Sequence, residues 1–357
     1  MPRFCGTALV ALSLALLPAG VLNAQWLKEP TKGIPRTADG KPNLTAPAPR
    51  AADGKPDLSG LWRFDPGPYG SNVLVDLKPD ELRPGVDALY KQRMEDLGKD
   101  DPSTFRCLPS GPRMLYTPPG WVRIIQTPQV IAVLYEDLTF RQIFMDGRAL
   151  PKDPNPSFMG YSVGRWDGDT LVVDSVGFNE TSWLDFGGHP HSEALRTTER
   201  LSRKNFGRLD VEVGFDDPKT ITRAFSVPVH AEIVTDSEML EYVCAENQKD
   251  VEHLVGKASD DKKLAVKVSP QLLVQYVGSY TFKAPDDPDQ VMKFNITRAG
   301  ETLSMDIGGK DPQEMIALSD ETFSMMGIRL DFVKEGGTVT HLIFHIVEGD
   351  MKATKDR

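Results

Sequence analysis

Long apolar runs are missing from this sequence. The first, Ala8 to Leu17, is too short to span a bilayer, and no later segment approaches the roughly 20 apolar residues that a membrane helix needs. An excess of positive charge is missing too. The 41 Lys and Arg stand against 51 Asp and Glu, a formal net charge of −10. That balance argues against nucleic acid or an anionic membrane surface as partner, since both call for clustered Lys and Arg. Cysteine is scarce, with only Cys5, Cys107 and Cys244.

The N-terminus has the three-part layout of a secretory signal peptide: Met1-Pro-Arg3, the apolar run, then Pro18 to Ala24. Cleavage after Ala24 removes Cys5 and Arg3 and leaves a slightly more acidic chain that is periplasmic or secreted. No Cys follows that point directly, which argues against a lipid anchor. Two cysteines in an exported chain suggest one disulfide, Cys107 to Cys244, with two buried thiols as the alternative.

Residues 25–55 form a Pro- and Gly-rich lead-in, expected to be extended and partly ordered. Within it Pro35-Arg-Thr-Ala-Asp-Gly-Lys-Pro-Asn-Leu44 recurs as Pro49-Arg-Ala-Ala-Asp-Gly-Lys-Pro-Asp-Leu58, two copies being too few for a solenoid. Order is expected from about Leu58-Ser-Gly-Leu-Trp62. Val86, Leu89, Tyr90, Met94 and Leu97 fall at helical spacing between Pro84 and Gly98, which predicts one amphipathic helix covering a sheet.

After Cys107 the texture becomes short β-branched and aromatic runs between Gly, Pro and Asp turns. Strands are expected at Val122–Gln126, Val130–Tyr135, Phe140–Met145, Tyr161–Trp166, Thr170–Val176, Leu195–Ser202, Leu209–Phe215, Arg223–Val229 and Met239–Cys244. Nine strands without intervening helices favour closure, which removes exposed edges. Charge concentrates at 251–267, read as a linker, and a second set of short strands occupies 268–357. The expected fold is all-β. An antiparallel barrel or barrel-like sandwich (56–250) with one covering helix is followed by a smaller lipocalin-like β-domain (268–357).

The densest chemistry lies in Trp183-Leu-Asp-Phe-Gly-Gly-His-Pro-His-Ser-Glu-Ala-Leu-Arg-Thr-Thr-Glu-Arg200, where Gly187-Gly188 permits a sharp turn. His189, His191 and Glu193 alternate, so an extended backbone would project all three from one face. They are the candidate acid/base residues, or ligands of a divalent metal if one is bound, although Pro190 interrupts a regular strand and no third His stands at cupin spacing. Both imidazoles could equally satisfy backbone groups beneath the turn. Trp183, Asp185, Arg196 and Tyr161 are candidate ligand-binding residues. Arg196, Thr198 and Arg200 share a strand face, and Leu195 and Leu201 opposite them favour an outward, solvated placement. Gly160-Tyr-Ser162-Val-Gly164 matches a nucleophile elbow, but a hairpin follows where an elbow needs a helix. Ser259-x-x-Lys262 lies in the charged linker and matches the serine/lysine pattern by chance.

Two resemblances rest on these words. Gly160 to Asp174, Gly177-Phe-Asn179, Trp183-Leu-Asp185 and Pro190 to Arg200, with Pro56-Asp-Leu-Ser-Gly-Leu-Trp62, resemble a family of exported bacterial proteins. That likeness covers about residues 56 to 250 and implies export and a β-rich fold, with no particular reaction. Leu273-x-x-Tyr-Val-Gly-x-Tyr280 resembles the lipocalin-like module appended to serine hydrolases of the β-lactamase type, here without its catalytic partner.

Barrel mouths host ligand pockets. The first functional expectation is therefore an exported protein binding a small, partly apolar molecule. The alternatives are a hydrolase or lyase using His189, His191 and Glu193, and an interaction module of the cell envelope.

Overall fold

The computed structural model describes residues 31–246, 257–283, 291–307, 312–346 and 349–356. The expected signal peptide and the linker residues 251–256 lie outside them. The chain forms two closed barrels. The first contains β1 (Gly60–Asp65), β2 (Trp121–Gln126), β3 (Val130–Tyr135), β4 (Phe140–Phe144), β5 (Tyr161–Asp167), β6 (Thr170–Val176), β7 (Arg196–Arg203), β8 (Arg208–Asp216) and β9 (Phe225–Ile233). The all-β class holds, as do eight of the nine expected strands of this region. The exception is Met239–Cys244, which is not a strand. β9 already pairs with β1, so no edge is left for it to join.

One departure from the antiparallel expectation follows from counting. A ring of nine strands cannot alternate direction throughout, and one neighbouring pair must run parallel. That pair is β4 and β5, joined by the crossover 145–160. Inward positions alternate with outward ones as a barrel requires. In β7, Thr197, Glu199 and Leu201 are buried while Arg196, Thr198 and Arg200 are exposed. The interior is filled by side chains including Trp62, Tyr116, Ile131, Val173, Leu209, Val213 and Phe215. The space left inside it is about 30 Å³, room for no more than a few waters.

Strand directions sort the connections to two ends. β1 and β8 end, β2 and β9 begin, β3 turns into β4, and β6 gives way to β7 at one mouth. That mouth carries residues 66–120 with helices α1 (Val86–Glu95) and α2 (Pro102–Arg106), together with the loop 177–195. The helix expected at 84–97 is present, but it lies over the mouth instead of a sheet face, with Tyr90 stacked on His189. A 3-10 turn, Gly111–Leu115, plugs the mouth, its Met114 and Leu115 joining the barrel core.

Residues 31–55 of the repeated lead-in lie at the opposite end, where they form tight turns and not one extended run. Both copies fold into the same tight turn. Thr37 and Ala51 donate to the carbonyls of Lys41 and Lys55, and Arg36 and Arg50 donate to those of Gly40 and Gly54. Each arginine then clamps an acid, Arg36 with Asp236 and Arg50 with Asp169 at 2.7 Å. The low apolar content did not show this, because the turns are held by hydrogen bonds and ion pairs more than by burial.

The second barrel follows α3 (Ala258–Lys263) and α4 (Pro270–Tyr276). Its strands are β10 (Gly278–Lys283), β11 (Val291–Ala299), β12 (Thr302–Ile307), β13 (Gln313–Ala317), β14 (Thr322–Met325), β15 (Ile328–Glu335), β16 (Thr338–Ile346) and β17 (Gly349–Lys355), in sequential antiparallel order. The Leu273–Tyr280 word starts as a helix, since Ser269 caps it and Pro270 suits its first turn. Tyr276, Tyr280, Phe294, Phe323, Phe332 and Phe344 pack this core.

Candidate functional site

The segment 183–193 spans the helix-bearing mouth and is tied down at nearly every residue. Tyr116 donates its hydroxyl to the Leu184 carbonyl at 2.6 Å, and Leu184 donates its amide to the His189 carbonyl at 2.8 Å. Asp217, itself buried, accepts the Ser192 amide at 2.6 Å and the Ser192 hydroxyl at 2.7 Å. The Gly187-Gly188 turn is sterically required. A Cβ on Gly187 would stand 2.6 Å from the Ser71 carbonyl oxygen, and Gly188 has φ +98°.

Asp185 is the hub of this loop. Its carboxylate accepts the amides of Val73 (2.9 Å), Gly188 (2.9 Å) and His189 (3.0 Å), and lies 2.6 Å from His189 Nδ1. An ionised carboxylate only accepts, so Nδ1 carries the proton. The His189 ring stacks on Tyr90 with centroids 3.9 Å apart. His191 has a different surrounding. Its Nδ1 faces the Ser192 carbonyl at 3.3 Å and its Nε2 lies 3.0 Å from Ser182 Oγ. Burial pushes the His191 pKa below the ordinary imidazole value, so the ring is neutral and Ser182 donates to Nε2.

The expected triad is therefore not assembled. His189 and His191 are buried with separate partners, whereas the Glu193 side chain is 52% exposed and paired with Lys219 on the surface. Pro190 breaks the alternation that would have aligned the three. Among the described residues, no group of three or more His, Cys, Asp or Glu side chains is placed to hold a metal ion. The parts of a serine-histidine-aspartate relay are present but divided, with the aspartate on one histidine and the serine on the other. Ser182 is also sealed, since a Cβ on Gly111 would lie 2.1 Å from its Oγ.

The expected ligand-binding residues divide in the same way. Trp183 is buried beneath the Arg93 guanidinium, 4.6 Å from its ring. Asp185 is fully buried, and Arg196 is exposed on the outer barrel wall. Tyr161 stacks on Phe144 and accepts from Arg148 at 2.9 Å. Among the described residues, none of these four lines either of two clefts at the mouth, the one over the Cys107–Cys244 disulfide or the one beside Tyr90. Ser162 of the elbow-like word sits inside the barrel wall, bonded to Arg141 Nε at 2.9 Å and to Ser175.

What does line a mouth cleft is a set of residues not singled out from sequence as ligand-binding, although the disulfide among them was expected. A cleft of about 200 Å³ is bounded by Leu108, Pro109, Pro119, Phe186, Tyr242 and the Cys107–Cys244 disulfide. Phe186 and Tyr242 are each 49% exposed, although large apolar side chains are usually covered. Arg113, only 3% exposed, forms part of the lining, with its guanidinium 4.1 Å from the Phe186 ring. It donates to Asp101 at 3.2 Å and to Ser103 and Ser110, while its Nε has no partner among the described residues. Burial pushes the Asp101 pKa up, but the Arg113 charge and the Ser103 and Thr104 hydrogen bonds outweigh it and hold the carboxyl below its usual range. The strap carrying Tyr242 is fixed by the disulfide and by Glu136, which accepts the Leu240 amide at 3.1 Å.

A second polar constellation missed from sequence is inside the barrel. Arg141 makes a two-pronged contact with Glu199, 3.0 Å on one side, and bonds Ser175 at 2.9 Å. The only sequence signal for it was the inward register of Glu199 between Thr197 and Leu201. No protein-family model and no curated protein matches the chain.

Proposed function

We propose that the chain is an exported protein that binds a small, partly apolar molecule at the helix-bearing mouth of its first barrel, in the cleft over the Cys107–Cys244 disulfide. The observation that carries this reading is the pair of exposed aromatics, Phe186 and Tyr242, facing one cleft with the buried Arg113 in its lining. Aromatic walls with a few placed polar groups are what small-molecule sites offer. The barrel interior, with about 30 Å³ free, is too full to compete as the pocket. Export is supported by the signal-like N-terminus and by the disulfide, which persists in oxidising compartments. The separate apolar cores support a division into two domains, 56–250 and 268–357. The eight-stranded up-and-down order of the second supports the lipocalin-like resemblance.

Saturation-transfer NMR with small aromatic and cyclic aliphatic fragments should find binders whose signal disappears in Phe186→Ala/Tyr242→Ala protein. Fragments that bind the folded double variant as well as the wild type would reject this cleft.

The hydrolase reading retains one favourable observation, Ser182 Oγ donating to His191 Nε2 at 3.0 Å. A fluorophosphonate probe would label Ser182 if that pair were reactive, and the seal over Ser182 argues for no labelling.

A further inference from the structure

The second barrel turns one end toward the first. The β12–β13 and β14–β15 connections lie at that end, since Met305 is opposite Gln313 and Met325 is opposite Ile328. Lys257 Nζ stands 3.5 Å from Asp96 just beyond α1, and the Ser259 amide donates to Glu95 within it. Between the barrels lies a cleft of about 70 Å³. Its walls are Met94 and Tyr90 from α1, Met305, Met325 and Met326 from the second barrel, and a neutral remainder of Gly, Pro, Ser and Gln. Four methionines on so small a cleft, with no charged side chain among the lining residues, require an explanation.

Methionine is the adaptable filler of irregular apolar gaps, and for the buried Met305 and Met325 filling would suffice. It does not account for Met326. The β14–β15 hairpin turns on Met326-Gly327, both with positive φ, +51° and +79°. That two-residue turn favours Asn-Gly or Asp-Gly, because only short polar residues or glycine enter the left-handed region readily. The chain instead holds an unbranched apolar side chain there, 42% exposed and on the cleft wall. The local preference is thus broken at a residue whose side chain, more than half covered, meets the cleft between the barrels.

We propose that this cleft is a site for a soft monovalent metal ion, Cu(I) or its analogue Ag(I), held by thioether sulfurs of Met94, Met305, Met325 and Met326. Thioethers select soft d10 ions. The lining has no carboxylate, imidazole or thiolate, so the charged and nitrogen or sulfur donors that anchor Ca2+, Mg2+ and Zn2+ sites are not among its residues. Its small volume suits an ion without a hydration shell.

The test uses the full chain carrying Cys5→Ser, so that no free thiol competes, titrated with Ag(I) by calorimetry. One Ag(I) per chain is expected, and Met325→Leu/Met326→Leu should weaken binding at least tenfold. Leucine keeps apolar volume and removes only the sulfur, so a cleft that merely packs would not register the change. No binding, or equal binding by the leucine variant, overturns the site. If that variant does not fold, the wild-type chain labelled at its methionine methyls decides. Ag(I) should shift the resonances of these four methionines, assigned by single leucine substitutions, and shifts confined to other methionines overturn the proposal.

Discussion

Asp185 Oδ2 stands 2.6 Å from His189 Nδ1, and the same carboxylate takes the amides of Val73, Gly188 and His189. One buried side chain thus joins the loop 183–193 to a segment 112 residues earlier. Asp185→Asn keeps the shape but turns an NH2 toward at least one of the three backbone amides, which can only donate. The expected loss is about 3 to 5 kcal/mol, the usual consequence of breaking a buried charged network. Denaturant unfolding measures it. A loss below about 1 kcal/mol would show that the loop holds without this hub.

Arg141 and Glu199 pose a different case, because both partners of a buried pair can be removed together. Glu199→Leu alone strands a guanidinium inside the barrel and should lose about 3 to 5 kcal/mol. Arg141→Met/Glu199→Leu should be less destabilised than either single variant, since Ser162 and Ser175 retain each other at 2.9 Å. A double-mutant cycle in urea reads the coupling directly. Additive losses would mean that the pair does not act as a unit.

The disulfide closes a separation of 137 residues and fixes the strap that carries Tyr242. Cys107→Ala/Cys244→Ala should lower stability by about 4 to 5 kcal/mol on the chain-entropy account. Thiol counting on denatured, non-reduced protein provides the companion measurement, with neither Cys107 nor Cys244 titrating.

How much of this was legible in sequence depends on which forces act over short range. Strands such as Val130–Tyr135 and Thr170–Val176 declare themselves by β-branched runs and, for the second, by the Asp167-Gly168 pair ahead of it, and their bounds are recovered closely, the turn itself falling on Gly168-Asp169. Strands β13 and β14, of five and four residues, are too short to show a period, and β17 is largely polar. The stretch 183–200 was found because its composition is unusual, but composition does not reveal which way a side chain points. Pro190 and Asp217 separate Glu193 from the histidines, and Asp217 lies 25 residues away from the Ser192 it anchors. The Phe186–Tyr242 cleft needs four separate segments brought together, 103–119, 137–139, Phe186 and 242–244, and no local pattern in any of them announces it.

His191 should make the stability of the first barrel depend on pH in a definite direction. Burial holds its pKa below the ordinary value in the folded chain, while unfolding returns it to about 6.5. Between those two values the unfolded state binds the proton and the folded state does not, so stability rises with pH across that window. Above about pH 6.5 the ring is neutral in both states and this contribution is flat. As pH falls through the window, stability is lost, because a protonated Nε2 can no longer accept from Ser182. His345 in the second barrel behaves oppositely. Hydrogen bonds to Asp331 and Asp350 raise its pKa, so its contribution is present at low pH and fades as pH rises past the folded value. Urea unfolding at a series of pH values, followed by the near-ultraviolet signal of the first barrel's tryptophans, separates the two. His191→Gln keeps a hydrogen-bonding side chain and should flatten the acid limb even if it lowers stability throughout. An acid limb unchanged in slope would place the responsible proton on another group.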